Sequence, residues 1–143
     1  MSFSAFEAYV AAIGVSASVT PESQNSDYES GLARIGEEYW HIRTARTTPT
    51  KPGAFLAFWS RDENGVTEPF SAGSVHAGLL VFVEQLGQRG VFRFTASHLA
   101  QLGITSGQGA GKRGFRVYPH WCTDLNATAT ATQRAQSSAF REF

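Results

Sequence analysis

The chain is dominated by short apolar segments that have the length and spacing of β-strands. Each is four to six residues long, apolar or alternating between apolar and polar residues, and bounded by glycine, proline or charge. Such segments cannot bury an apolar face alone, so they pair into sheets. The segments are residues 32–35, 39–44, 55–59, 79–83, 91–94 and 115–118. The first two are expected to form a hairpin that turns at residues 36–38.

Three other segments have helical character and complete the prediction of the fold. Residues 2–13 place apolar side chains at helical spacing and end at Gly14, which predicts an amphipathic helix. Residues 95–103 begin with a Thr or Ser cap and close on Gly103, which predicts a short helix. Residues 130–143 form a predicted C-terminal helix. This order of elements favours an α+β fold in which helices pack on a mixed central sheet.

Length and composition are those of a compact globular protein. A chain of 143 residues that is 42% hydrophobic and 17% charged buries about two-thirds of its unfolded surface in one core, so we expect a single domain over residues 1–143. The single cysteine, Cys122, excludes an internal disulfide. The chain lacks a secretory signal at its start, and its longest apolar run, residues 77–83, is far shorter than the roughly 20 residues that cross a bilayer. We therefore expect a cytoplasmic protein with no membrane segment.

The charges of this formally neutral chain are segregated along the sequence. Residues 1–42 carry six acids and one arginine, and residues 62–84 carry four acids and no Lys or Arg. Between them, residues 43–61 carry four cations and no acid, and residues 85–143 carry seven cations and two acids. If the two basic blocks meet in space, they form a positive surface that attracts polyanions. The alternative is that each block is paired with nearby acids and simply solvated.

Several common kinds of catalytic and cofactor site are excluded by residue spacing. The glycine-rich residues 106–116 resemble a phosphate-binding loop, but Ser106 and Arg113 stand where an ATPase loop needs glycine and Ser or Thr. That segment is therefore either a flexible loop that approaches phosphate or an ordinary surface loop. His120, Cys122 and Asp124 alternate, which is too weak a pattern to predict zinc. No metal, no cofactor and no nucleophilic triad is predicted.

Metal-dependent nuclease chemistry is the remaining template, and the sequence departs from it. Such nucleases hold Mg²⁺ with an acid on one strand and an E-x-K or D-x-K triplet on the next. No acid in this chain is followed two residues later by Lys or Arg. Asp27 and Glu29 precede the first strand, and Thr44 and Arg46 stand where the triplet belongs. Threonine is no substitute for a carboxylate and arginine is a poor proton acceptor, so these four are vestigial candidates and no catalytic residue is predicted.

Four blocks of sequence resemble the MepB family of small bacterial proteins. They are RTARTTPTKPGAFLAFWSRD at residues 43–62, PF at 69–70, GVFRFTASHLAQLGI at 90–104 and GKRGFRVYPHW at 111–121. The similarity extends from about Asp27 to the end of the chain. Residues 1–26, which comprise the predicted N-terminal helix and a polar connection, match least.

The resemblance implies a fold related to the PD-(D/E)xK nucleases, a restriction-endonuclease-like mixed sheet flanked by helices. It also implies an incomplete catalytic set and an association with nucleic acid. Relatives can show an acid and a lysine near the start of the TPTK block, where this sequence has Thr44 and Arg46. The family takes its name from an operon with a multidrug efflux pump and its repressor, which raises the alternative of a drug-responsive, ligand-sensing or interaction module.

Residues and resemblance together identify candidate contacts to nucleic acid. Cations and threonines supply hydrogen-bond donors to phosphate, while Pro49, Pro52 and Gly53 are expected to stop their segment from forming a regular ladder. The candidates are Arg43, Arg46, Thr48, Lys51, Arg61, Lys112, Arg113, Arg116 and Trp121. Trp40, Trp59, Tyr118 and Trp121 offer aromatic faces for unpaired bases, of which Trp121 is preferred and Trp59 is better explained as core.

The favoured hypothesis is a catalytically silent protein that binds the phosphate backbone of single-stranded DNA or RNA. One alternative is a metal-dependent nuclease built from Asp27, Glu29 and either Glu37 or Glu38. The other is the drug-response module implied by the family.

Overall fold

A computed structural model describes residues 2–143, in which three helices and eleven strands form. The helices are α1 (Ser4–Ile13), α2 (Ala96–Gln101) and α3 (Ala127–Gln136). The strands are β1 (Ala17–Pro21), β2 (Gly31–Ile35), β3 (Glu38–Thr44), β4 (Arg46–Thr48), β5 (Lys51–Ala57), β6 (Trp59–Arg61), β7 (Thr67–Pro69), β8 (Gly78–Gln85), β9 (Gln88–Thr95), β10 (Gly114–Val117) and β11 (Phe140–Glu142). Within residues 2–143, no helix has the length and apolar character needed to span a bilayer.

The central sheet has six strands in the order β1-β2-β3-β8-β9-β11. Strands β3 and β8 are parallel, and every other neighbouring pair is antiparallel. The predicted α+β class with a mixed central sheet is therefore confirmed, and each predicted strand overlaps an observed one. The predicted N-terminal helix is also present, and Gly14 ends it in the left-handed conformation.

Several elements differ from the sequence-based expectation, among them the short strands β4 and β7, which no predicted strand covers. The last helix, expected over residues 130–143, begins at Ala127 and ends at Gln136. Phe140 then pairs with Phe92 as part of an edge strand, with the two rings 4.8 Å apart, because burial of this ring in the core overrides helix continuation. The polar connection contains strand β1, which the pattern missed because an edge strand exposed on most positions shows little apolar alternation.

Each face of the central sheet is covered by a different layer. Helix α1 covers one face, where Phe6 packs edge-on against Phe82 of β8. A smaller sheet with strand order β10-β5-β4 covers the other, and its buried Leu56 and Val117 pack in the same apolar cluster as Val81. The second face of this small sheet is left open, and most of the predicted contacts lie on or beside it.

The free edge of β10 is satisfied by a side chain instead of a strand. The Gln136 amide donates to the carbonyl of Arg116 at 2.8 Å and accepts from the backbone N–H of Tyr118 at 3.0 Å. The Gln136 side chain is 2% exposed, so both backbone groups are paired where water does not reach them. Helix α3 is thereby fixed against the edge of the small sheet.

Candidate nucleic-acid interface

The outer face of the small sheet carries two arginines on either side of an aromatic ring. Arg116 of β10 is opposite Phe55 of β5, and Phe55 is opposite Arg46 of β4. Residues that face each other across antiparallel strands point to the same side of the sheet. The neighbouring positions Leu56 and Val117 point into the core, so this row points outward. Two residues from basic blocks that are far apart in the sequence therefore flank a shared ring, each one strand away from it.

Arg116 is held in place by neutral partners. Its guanidinium donates to the Pro52 carbonyl at 3.0 Å and to the Thr48 hydroxyl at 2.9 Å. Thr48 begins the TPTK block and Pro52 directly follows it. Strand β4 pairs with β5 in an antiparallel ladder whose register shifts between Thr47 and Thr48. The expectation that prolines and glycine prevent a regular ladder is thus only partly met.

Gly53 allows the close approach of β5 and β10. Its φ is +73°, and a Cβ at this position would lie 2.5 Å from the carbonyl of Val117 and 2.8 Å from the ring of Tyr118. Only glycine fits both the backbone conformation and this spacing. The KPG triplet therefore has a structural role in forming the outer face.

A second pair of arginines, one on the β6–β7 ribbon and one directly before β10, donates to carbonyls of that ribbon. Arg113 donates to the Thr67 carbonyl at 3.1 Å. Arg61 donates to the Gly65 carbonyl at 3.0 Å and lies 5.0 Å from the centre of the half-buried Trp59 ring. We call Arg46, Lys51, Arg61, Lys112, Arg113 and Arg116 the basic strip. Among residues 2–143, none of the six has a carboxylate within 4.0 Å.

Arg43 does not belong to the strip, which corrects the sequence-based prediction. Its side chain is fully buried, and its guanidinium donates to the Glu22 carboxylate at 2.9 Å and to the Asn25 side-chain oxygen at 2.9 Å. His41 contacts the same carboxylate at 3.0 Å. Burial alone would raise the pKa of Glu22, but the hydrogen bonds from His41 and Arg43 and the Arg43 charge outweigh it and lower that pKa.

Trp121 also differs from its predicted role as an exposed stacking face. It is half-buried, its indole N–H donates to Gln85 at 3.0 Å, and its ring packs edge-on against Phe140. Trp40 is buried as well. The half-exposed Phe55, against which Tyr28 packs at 6.2 Å, is instead the aromatic ring between two cations. The sequence did not single it out because FLAFW has the appearance of a wholly buried strand.

The vestigial nuclease candidates are partly brought together. The Thr44 hydroxyl donates to Glu29 at 3.0 Å in a cleft of about 300 Å³ between the ends of β3 and β8 and helix α1. Glu84 and Arg89, which the sequence did not indicate, line the same cleft. Glu84 reaches the cleft because β3 and β8 are parallel and therefore end at one edge of the sheet. Arg89 reaches it because it is opposite Glu84 in the β8–β9 hairpin.

These residues do not fit a divalent metal ion. Glu84 is opposite Arg89 in the sheet, Thr44 donates its hydroxyl proton to Glu29, and no lysine lines the cleft. Within residues 2–143, no three His, Cys, Asp or Glu side chains are grouped to hold a metal. Glu38, proposed as a third ligand, begins β3, about 20 Å from Thr44 at its other end. The nuclease set of Asp27, Glu29 and Glu37 or Glu38 therefore does not converge.

The glycine-rich segment at residues 106–114 is ordered by backbone contacts. The backbone N–H of Ser106 donates to the Phe70 carbonyl at 2.9 Å, and that of Lys112 donates to the Ile104 carbonyl at 2.9 Å. Gly111 has φ +75° and lies so close to Pro69 that a Cβ would be 2.8 Å away. These bonds place Lys112 and Arg113 directly before β10.

The chain is similar in sequence and in fold to MepB. A family model described as MepB-like matches residues 22–142. The crystal structure of MepB is 34% identical in sequence, and the match covers 99% of this chain and 97% of the MepB chain with a TM-score of 0.87. A comparison with curated proteins gave no match.

Proposed function

The chain belongs to the MepB-like family, and from this premise we propose that it binds single-stranded nucleic acid along the basic strip without cleaving it. The observation that carries the proposal is the outward row of Arg46, Phe55 and Arg116. Cations beside an aromatic ring are the combination that sequence-tolerant single-strand binding uses. A nuclease-related fold with an incomplete catalytic set remains part of this proposal.

The strip is suited to phosphate because its charges are not neutralised. An arginine that is paired with a carboxylate has little to offer a phosphate, and among residues 2–143 no member of the strip has such a partner. Arg116 is also positioned before any ligand arrives, by Thr48 and Pro52. Ordering this side chain on binding therefore loses less conformational entropy. Phe55 provides a ring on which a base can stack between the two guanidinium groups.

The test is a pair of charge-matched double variants. Replacing Arg46 and Arg116 by glutamine is expected to weaken binding of a labelled single strand about 10- to 100-fold at low salt. The slope of log affinity against log salt becomes shallower by about 1.4 because two phosphate contacts are lost. Fluorescence anisotropy at several salt concentrations measures both quantities.

The matched control replaces Arg34 and Arg141 by glutamine. Both are exposed and belong to the central sheet, on β2 and β11. This control removes the same net charge and is expected to change affinity less than about twofold, since it removes no contact from the strip. Equal losses in the two double variants would show that net charge and not the strip governs binding, and absence of binding to any polymer would refute the proposal.

The nuclease alternative leads to a separate prediction. Incubation of plasmid or single-stranded RNA with the protein and Mg²⁺ or Mn²⁺ is expected to leave the polymer intact. The reason is that Glu29 accepts the Thr44 hydroxyl proton and no lysine lines the cleft to activate water. Gel electrophoresis after prolonged incubation is the measurement. Cleavage that disappears in Glu29→Ala would establish a nuclease and overturn the silent assignment.

A ligand-sensing role has one structural feature in its favour. The cleft around Glu29 and Glu84 is lined by Ala5 and Ala8 of α1, by Phe82 and Phe143, and by Arg89, whose guanidinium lies 5.0 Å from the centre of the Phe143 ring. Among residues 2–143 neither carboxylate has a basic group within 4.0 Å, and two carboxylates with one arginine leave the lining net negative. Such a cleft suits a small organic cation. If the protein binds no polyanion and a small compound raises its melting temperature, a ligand-sensing role is favoured over nucleic-acid binding by the basic strip.

A further inference from the structure

A second groove lies between the edge of β10 and helix α3. Its volume is about 500 Å³, within the range of pockets that accept small organic ligands. The groove is lined by Gln101, Leu102, Ile104, Lys112, Phe115, Arg116, Tyr118, Ala131, Thr132, Ala135 and Gln136. We call it the α3 groove. Its walls are fixed because Gln136 bonds to the backbone of both Arg116 and Tyr118.

The charge of the α3 groove differs from that of the acidic cleft. No acidic residue lines it, and Lys112 is an exposed cation that belongs to the basic strip. Arg116 also lines the groove, while its guanidinium extends the other way, over β5 to Thr48 and Pro52. The groove is therefore suited to a ligand that carries negative charge at its entrance.

The interior of the groove is suited to a flat ring with a polar edge. Leu102, Ile104 and Phe115 supply apolar surface, and the half-buried Tyr118, whose ring also packs against Gly53, borders it. Gln101 adds an exposed side-chain amide, which is both donor and acceptor. An unpaired nucleobase combines a planar apolar face with an edge of donors and acceptors.

We propose that the α3 groove accepts one unpaired base of a single strand whose phosphates contact Lys112 and Arg116. This inference rests on the proposed function and deepens it. Arg116 connects the two surfaces, because it lines the groove, its carbonyl accepts from the groove residue Gln136, and its guanidinium lies on the strip. A base in a duplex is paired and stacked and does not enter, so the groove gives the protein its preference for single strands.

The experiment compares three polymers of equal length. They are a single strand of thymidines, the same sugar–phosphate strand without bases, and a blunt duplex. The wild-type protein is expected to bind the thymidine strand at least about tenfold more tightly than the baseless strand, because the base in the groove contributes about as much as one well-stacked base and a base on Phe55 adds to it. Anisotropy at low salt supplies the three affinities.

Leucine substitutions in α3 then test the groove itself. Ala131→Leu and Ala135→Leu each fill it from the helix side, while Ala127→Leu is an exposed control on the same helix outside the groove. Leucine and alanine have similar helix propensities, so folding is retained. The two groove variants are expected to lose the groove's roughly tenfold share of the preference for bases, to keep any share that stacking on Phe55 contributes, and to keep the wild-type affinity for the baseless strand and the duplex. The control keeps the preference.

The outcomes separate this inference from the proposed function. If the groove variants keep the full wild-type preference, the groove takes no base and the basic strip with Phe55 still stands. If the wild-type protein binds strands with and without bases equally, neither the groove nor Phe55 takes a base, and the basic strip stands only as a phosphate contact. If the groove variants weaken binding to all three polymers alike, the groove contacts phosphate and not bases. If no polymer binds, both proposals fail.

Discussion

Replacing Arg43 by methionine is expected to lower the free energy of unfolding by about 3–5 kcal/mol. Arg43 is fully buried and makes hydrogen bonds to Glu22, Asn25 and the Ala57 carbonyl. Removing it leaves the Glu22 carboxylate with only His41 as an ionisable partner, and leaves the Asn25 oxygen without its Arg43 donor. Leaving a buried charge uncompensated costs more stability than removing an exposed arginine. Chemical denaturation gives the change directly.

Two further variants show whether the loss of stability comes from breaking the pair of Glu22 and Arg43. Arg46→Met, three positions away and exposed, is expected to change stability by less than about 0.5 kcal/mol. Replacing Glu22 and Arg43 together by leucine and methionine is expected to recover much of the loss, since an apolar pair of similar volume avoids the uncompensated charge. If Arg43→Met is as stable as the wild type but no longer binds nucleic acid, Arg43 is not a buried structural residue and belongs to the binding surface.

The contacts of Glu22 with His41 and Arg43 also make the stability of the protein depend on pH. The pKa of Glu22 is lowered in the folded protein, so its ionised form is favoured by folding. The stabilisation is fully present above the pKa of the unfolded chain and is lost as the pH falls through the lower, folded value. The pH dependence of unfolding in this acidic range is therefore expected to be steeper in the wild type than in Glu22→Gln.

Replacing Gly78 by alanine is expected to destabilise the protein by more than about 3 kcal/mol. Its φ is +146°, a conformation that residues with a side chain rarely adopt. A Cβ at this position would overlap the carbonyl oxygen of Phe94, a backbone atom that is unable to rotate away, and would lie 2.9 Å from the Trp40 ring. Backbone strain and overpacking each contribute about 1–3 kcal/mol.

Gly73→Ala is the matched control for that change. A Cβ added at Gly73 would have no neighbouring atom within 4 Å, and the φ of this residue is not positive, so alanine there is expected to be neutral or slightly stabilising. Thermal unfolding of both variants and the wild type gives the comparison. If Gly78→Ala and Gly73→Ala have the same melting temperature, the close contact between β8 and β9 at Gly78 does not exist. Gly78 interrupts the apolar run of residues 77–83 at the position where β8 begins. There it is opposite Trp40 of β3 and Thr95 of β9.

Local sequence was sufficient for elements whose cause is local. Short apolar or alternating segments located β2, β3, β5, β8, β9 and β10, and Gly14 ended the first helix where expected. Thr95 caps α2 by accepting from the N–H of His98, as a Thr before a helical run predicts. The family was identified by the resemblance of four sequence blocks, for which no tertiary contact is needed, and this assignment is confirmed.

The candidate site depended on information that no local pattern contains. Arg43 and Arg46 belong to one basic segment, yet Arg43 is buried beside Glu22 and Arg46 is exposed beside Phe55. The sequence determined the strands and the segregation of charge, because both follow from residue order and backbone preference. Only the tertiary structure decided which cations reach solvent and which carboxylate neutralises one of them. Strand register and the packing of one sheet on another fix the face on which each side chain lies, and both arise from contacts between residues far apart in the chain.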